Sequence, residues 1–175
     1  VSAVFYSPGY FLLCVDPGLR GCGVAMFKEG TLVEAAYVKN PVESGRGYAA
    51  HAALGRAVCK SHSIAHRVVI EHPRVYPGSA QQKGDLNDLL DVVAVGAAVA
   101  TFAHAAEVAT VFPSDWKGQV PKETMTERIR RSLTDTERAT IQKCPASLMH
   151  NVLDACGIGL HALGRLNKKV YPHAD

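Results

Sequence analysis

"LLCVDPGLRGCGVAMF", residues 12–27, decides how this chain is read. An apolar run ends on a lone acid, Asp16. Pro17 and Gly18 then turn the chain, and a second apolar run follows. Asp-Pro-Gly is turn chemistry, so the plain reading is a hairpin. A carboxylate closing a buried strand is costly unless it is paired, which raises a second reading: Asp16 is held at the rim of a sheet to bind something cationic.

The flanking sequence extends the hairpin. Residues 10–16 and 21–30 read as its strands, and 31–38 adds a third to an antiparallel meander. Helical spacing over 48–63 puts Ala49, Ala53, Leu54, Ala57 and Val58 on one face. "RVVIEHP" (67–73) is a short buried strand that again ends in an acid, Glu71, before Pro73. A polar loop (74–85) precedes a long helix over 86–105, apolar around much of its girth. A fifth strand (107–113) and a loop (114–123) follow. Short amphipathic helices are expected over 122–133 and 135–143, and a final helix from Pro145 carries 147–166 ahead of a frayed tail. The expected architecture is one α/β domain over 1–175. Its mixed five-stranded sheet has three antiparallel strands and then parallel ones, with helices on its faces.

Composition narrows the class. With 47% apolar and 20% charged residues, the chain is globular rather than disordered. The fullest apolar stretch, 89–106, is broken by Asp91 and His104, so no membrane span is expected. No basic segment with a cleavage site precedes the first strand, so no secretory signal is expected either. Five scattered cysteines without a CxxC pair read as free thiols in a reducing, cytoplasmic setting. A net charge of +3 permits a nucleic-acid partner without demanding one.

Three acids stand out by position. Asp16 ends the first strand, Glu71 ends the fourth, and Asp154 interrupts the apolar turn "VLDACGIG". A parallel crossover would make the first and fourth strands neighbours, bringing both strand-end acids to one carboxyl edge. The final helix could then lay Asp154 across that edge. Converging carboxylates repel one another, and hard divalent cations relieve the repulsion. Two such ions about 4 Å apart activate a water and stabilise a leaving oxygen. The plain alternative is that each acid is capped or salt-bridged locally. Asp85, Asp88 and Asp91 form another acidic group, in which Asp85 is placed to N-cap the long helix and Asp88 to favour its first turn.

"CVDPGLRGCGVAMF" closely resembles the first motif of RuvC-type Holliday-junction resolvases, within the RNase H-like superfamily. "VVIEHP" is similar to that family's second strand-end acid, and "HNVLDACGIGLHAL" resembles its closing helix. "PSDWKGQVPKE" resembles a stretch of phage-encoded RuvC-like nucleases. The likeness covers residues 10–165, with all three acidic motifs in order. It implies a three-layer RNase H-like fold and a homodimeric, Mg²⁺-dependent endonuclease, with Mn²⁺ able to substitute. Such an enzyme cuts four-way junctions or other branched DNA, leaving 5′-phosphate and 3′-hydroxyl ends.

Carried over by position, Asp16, Glu71 and Asp154 would be catalytic metal ligands. Where that family has a second acid three residues before the last, this chain has Asn151, preceded by His150. Both lie near the helical face of Asp154, so Asn151 is a candidate ligand, and His150 a candidate ligand or proton carrier. A histidine satisfied by the core is the alternative, with Asp88 or Asp91 as reserve ligands. Arg74, Tyr76 and Lys83, in the loop after Glu71, are candidate DNA contacts, Tyr76 by stacking on a base. Lys117 and Lys122 are candidate phosphate contacts, while Trp116 reads as packed. Two other readings remain: an RNA-processing nuclease of the same superfamily, resembling YqgF, and a catalytically inactive junction-binding protein.

Overall fold

The computed structural model describes residues 7–75 and 85–166. Its elements run β1 (Phe11–Asp16), β2 (Gly21–Lys28), β3 (Thr31–Lys39), α1 (Tyr48–Ser61), β4 (Arg67–Glu71) and α2 (Leu86–Phe102). Then come β5 (Glu107–Val111), α3 (Pro113–Trp116), α4 (Lys122–Ser132), α5 (Asp135–Ala139) and α6 (Ala146–Ala162). The sheet order is β3-β2-β1-β4-β5. β1, β2 and β3 pair antiparallel, whereas β4 lies parallel to both β1 and β5. The meander and the parallel pairing of the first and fourth strands are therefore as the sequence predicts.

Period-two alternation divides the strands between two core layers. Leu12, Cys14, Ala25, Phe27 and Val69 pack on one face with Val152, Cys156 and Leu160 of α6 and Met125 and Ile129 of α4. Leu13, Val15, Val24, Met26, Val68 and Ile70 pack on the other, against Leu54 and Val58 of α1 and Val95 and Val99 of α2. Helices on both faces of one sheet make three layers.

Two expectations need correction. Residues 114–123 are not all loop, because α3 opens there, with the Asp115 carboxylate accepting from the Phe112 N–H at 3.0 Å. Pro followed two residues later by an acid is a helix-start signal that was legible in the sequence. The helix expected over 135–143 closes at Ala139, where a capping box of Thr134 and Glu137 opens only a short turn. The long helix leaves much of its apolar girth uncovered: only Val95 and Val99 of α2 are buried, while Leu86 and Leu90 stand 52% and 68% exposed.

Glu137 ties the last helix to the meander. It is 1% exposed, accepts the Leu32 N–H at 2.8 Å, and pairs with the Arg165 guanidinium at 2.7 and 2.8 Å. Burial pushes this carboxyl up, but the hydrogen bonds from Arg165, Leu32 and Thr134 outweigh it and bring it down to about 2. A carboxyl lowered by folding stabilises the fold fully above its ordinary value near 4.5 and loses that contribution as pH falls towards 2. Glu137→Ala is expected to cost about 1–3 kcal/mol by leaving the buried Leu32 N–H without its acceptor. Glu137→Gln should flatten the acid limb of stability, measured by urea midpoints from pH 6 down to pH 3.

Candidate active site

The alternation that builds the core also aims the acids. Asp16 follows Leu12 and Cys14 onto the face covered by α6, and Glu71 follows Val69 onto the same face. Val15 pairs with Ile70, so Asp16 and Glu71 come next in that register, at the carboxyl ends of adjacent parallel strands. Asp154 descends from α6. The helix comes this close because β2 offers no side chain at Gly23, the partner of Asp16. A Cβ there would lie 1.9 Å from the carbonyl oxygen of Asn151.

A lysine joins the acids. The Lys117 ammonium lies 2.8 Å from Asp154 Oδ2 and 3.3 Å from Glu71 Oε2. The Trp116 indole N–H donates to that same Glu71 oxygen at 2.7 Å. Burial pushes the Asp16 carboxyl well above its ordinary value, and the Glu71 and Asp154 carboxylates push it further, with Lys117 and Lys122 partly opposing. Burial likewise raises Glu71, against the pull of Lys117 and the Trp116 N–H. Burial would lower the Lys117 ammonium, but the three surrounding carboxylates hold it above its ordinary value. The site is a knot of negative charge with one ammonium in it.

All its acceptors are carboxylate oxygens, the donor type that Mg²⁺ and Mn²⁺ prefer, and their mutual repulsion is what such a cation relieves. In donor chemistry the trio fits a divalent ion. Among the described residues, however, no three His, Cys, Asp or Glu side chains are gathered closely enough to hold one as they stand. The ammonium of Lys117 already sits between two of the three.

The remaining candidates divide. His150 and Asn151 lie one turn before Asp154 on α6, and among the described residues neither side chain bonds to the acids. Asp85 caps α2 by accepting the Asn87 N–H at 2.9 Å. Asp88 and Asp91 face α1, where both pair with Arg46 and Asp91 approaches the buried His51. In this structure their partners are Arg46 and His51 rather than the trio. Lys122 stands exposed at the start of α4, within electrostatic reach of Asp16. Arg74 is exposed, with its guanidinium 5.5 Å from the Phe112 ring centre. Tyr76 and Lys83 lie outside the described residues. Sequence reasoning placed Lys117 on a DNA-facing loop and read Trp116 as merely packed. Trp116 is indeed buried, yet its N–H also orients Glu71. A buried indole needs a partner, and that was the available signal.

The element order, the mixed five-stranded sheet and the closing helix packed on one face make this an RNase H-like fold. Thermus thermophilus RuvC in complex with a Holliday-junction substrate superposes with a TM-score of 0.56 at 19% identity, over 89% of this chain and 94% of that one. A second structure of Thermus thermophilus RuvC gives 0.54 at 17% identity, over 87% and 93%. The yeast mitochondrial Holliday-junction resolvase Ydc2 gives 0.57 at 12% identity, over 94% and 82%. No protein-family model matches the chain, and no curated protein matches its sequence.

Proposed function

We propose that the chain is a structure-selective DNA endonuclease that resolves four-way junctions by phosphodiester hydrolysis. The observation that carries this reading is the meeting of Asp16, Glu71 and Asp154 around Lys117, on a fold shared with junction resolvases. Asp16, Glu71 and Asp154 would hold Mg²⁺, or Mn²⁺ in its place. When bound, such ions supply an activated water and neutralise charge on the leaving oxygen. Trp116 keeps one Glu71 oxygen oriented, and the buried β1 and β4 hold both strand-end acids rigidly, so that the site is positioned in advance. Lys122 and Arg74 are placed to meet phosphates, which position DNA without reading its sequence.

The exposed α2 face supports a homodimer. Leu86 and Leu90, one turn apart, stand clear of the core. Beside the same helix, a cavity of about 220 Å³ is lined by Val92, Val93, Gly96, Ala97 and Val108. Two copies related by a two-fold axis would present two sites to a pseudo-two-fold junction.

The test is a side-by-side cleavage assay on a four-way junction, a Y-fork, a linear duplex and a structured RNA, with Mg²⁺ and with chelator. Metal-dependent cutting of the junction at least about tenfold faster than of the duplex is the expected result. Preference for RNA would favour the RNA-processing reading. Junction binding without cleavage would make the chain an inactive binding protein.

A further inference from the structure

We propose that Lys117 is the resident cation of the carboxylate trio, and that a divalent ion entering between Glu71 and Asp154 must expel its ammonium. The inference rests on the nuclease reading and adds a cost to metal entry that this chain's own side chain imposes. The ammonium lies 2.8 Å from Asp154 Oδ2, and 3.3 and 3.5 Å from the two Glu71 oxygens. Those are the oxygens an incoming ion needs, and two cations cannot share them at contact distance without strong repulsion. Three carboxylates face one lysine, so negative charge remains to draw in a second cation.

The structure also separates what yields from what stays. Trp116 is 4% exposed and wedged against α6, where a Cβ on Gly157 would meet its ring at 2.3 Å. Its N–H holds Glu71 at 2.7 Å, so the indole and the backbone leading to Lys117 are anchored. The Lys117 side chain is 25% exposed, and lysine is a point charge on a flexible four-carbon stem with no fixed fork of donors. It therefore has both a way out and the freedom to take it. The lysine also lies on a reporter: its ammonium is 4.5 Å from the ring centre of Trp116, the sole tryptophan of the chain.

The experiment titrates Mn²⁺ into the intact, DNA-free chain, following heat by calorimetry and Trp116 emission in parallel. Lys117→Met is expected to bind Mn²⁺ about tenfold tighter, because nothing has to be displaced. Wild-type emission should change with the calorimetric midpoint, and that change should shrink in the variant. Lys117→Gln serves if the methionine variant does not fold, and the wild-type emission titration needs no variant. Equal or weaker Mn²⁺ binding by the variant, or wild-type binding with unchanged emission, overturns the displacement and leaves the nuclease reading standing. Absence of Mn²⁺ binding in both proteins overturns the two together.

Discussion

Asp16→Asn is expected to lower junction cleavage roughly 10³-fold or more while junction affinity stays within about threefold. Asp16 is the member of the trio that feels both other acids and both nearby lysines. It cannot be replaced by a neighbour, since Gly23 faces it across the hairpin and Glu71 is already held by Trp116. The same substitution has an opposite effect on folding. A carboxyl pushed up by the fold holds its proton more tightly when folded. The folded state therefore loses stability as pH rises from the ordinary carboxylate range through the raised value. Above the ordinary carboxylate range the group therefore works against folding, and the amide removes that. A higher melting temperature is the expected companion. Loss of cleavage together with lower stability would show that the amide disturbs the fold, and unchanged cleavage would overturn the assignment of Asp16.

Gly23→Ala carries the second large effect. The added carbon would stand 1.9 Å from the Asn151 carbonyl oxygen and 2.9 Å from the Val152 nitrogen, both backbone atoms of α6. Neither can rotate away, so helix and hairpin must separate, at a cost of about 1–3 kcal/mol in packing. Asp154 rides on that helix one turn later, and a displacement near 1 Å costs about 10²-fold in rate. The expected result is a folded protein, less stable in urea, with cleavage reduced about 10²-fold. Gly96→Ala is the control. Its added carbon would meet only Ile70 Cγ2 at an ordinary 3.5 Å, so stability should not fall. If Gly23→Ala cuts like the wild type, close approach of α6 is not what sets the geometry of the site.

Much of the frame was legible because its signals are local. Alternating apolar residues ending on Asp16 and Glu71 define strands and also the face on which each acid emerges, since side-chain direction repeats every two residues. Turn residues set the meander, and Asp85 declares its helix start from within two residues of its partner. The exposure of α2 was not legible: an apolar helix reads alike whether it is buried in its own domain or left for another surface. Nor was the fate of Asp88 and Asp91, whose partner Arg46 lies more than forty positions away.

Residue order alone was enough for the strands, the meander and the face on which Asp16 and Glu71 emerge, because each follows from periodicity and turn chemistry within a few residues. Folding in three dimensions was needed to bring Lys117 into the acid cluster, to set Trp116 against Glu71, and to let α6 approach over Gly23. Those contacts join residues 37 to 46 positions apart along the chain, or more, and exist only once α3 and α6 pack on the sheet. Charge and close packing act through space, and periodicity along the chain carries no record of those distances.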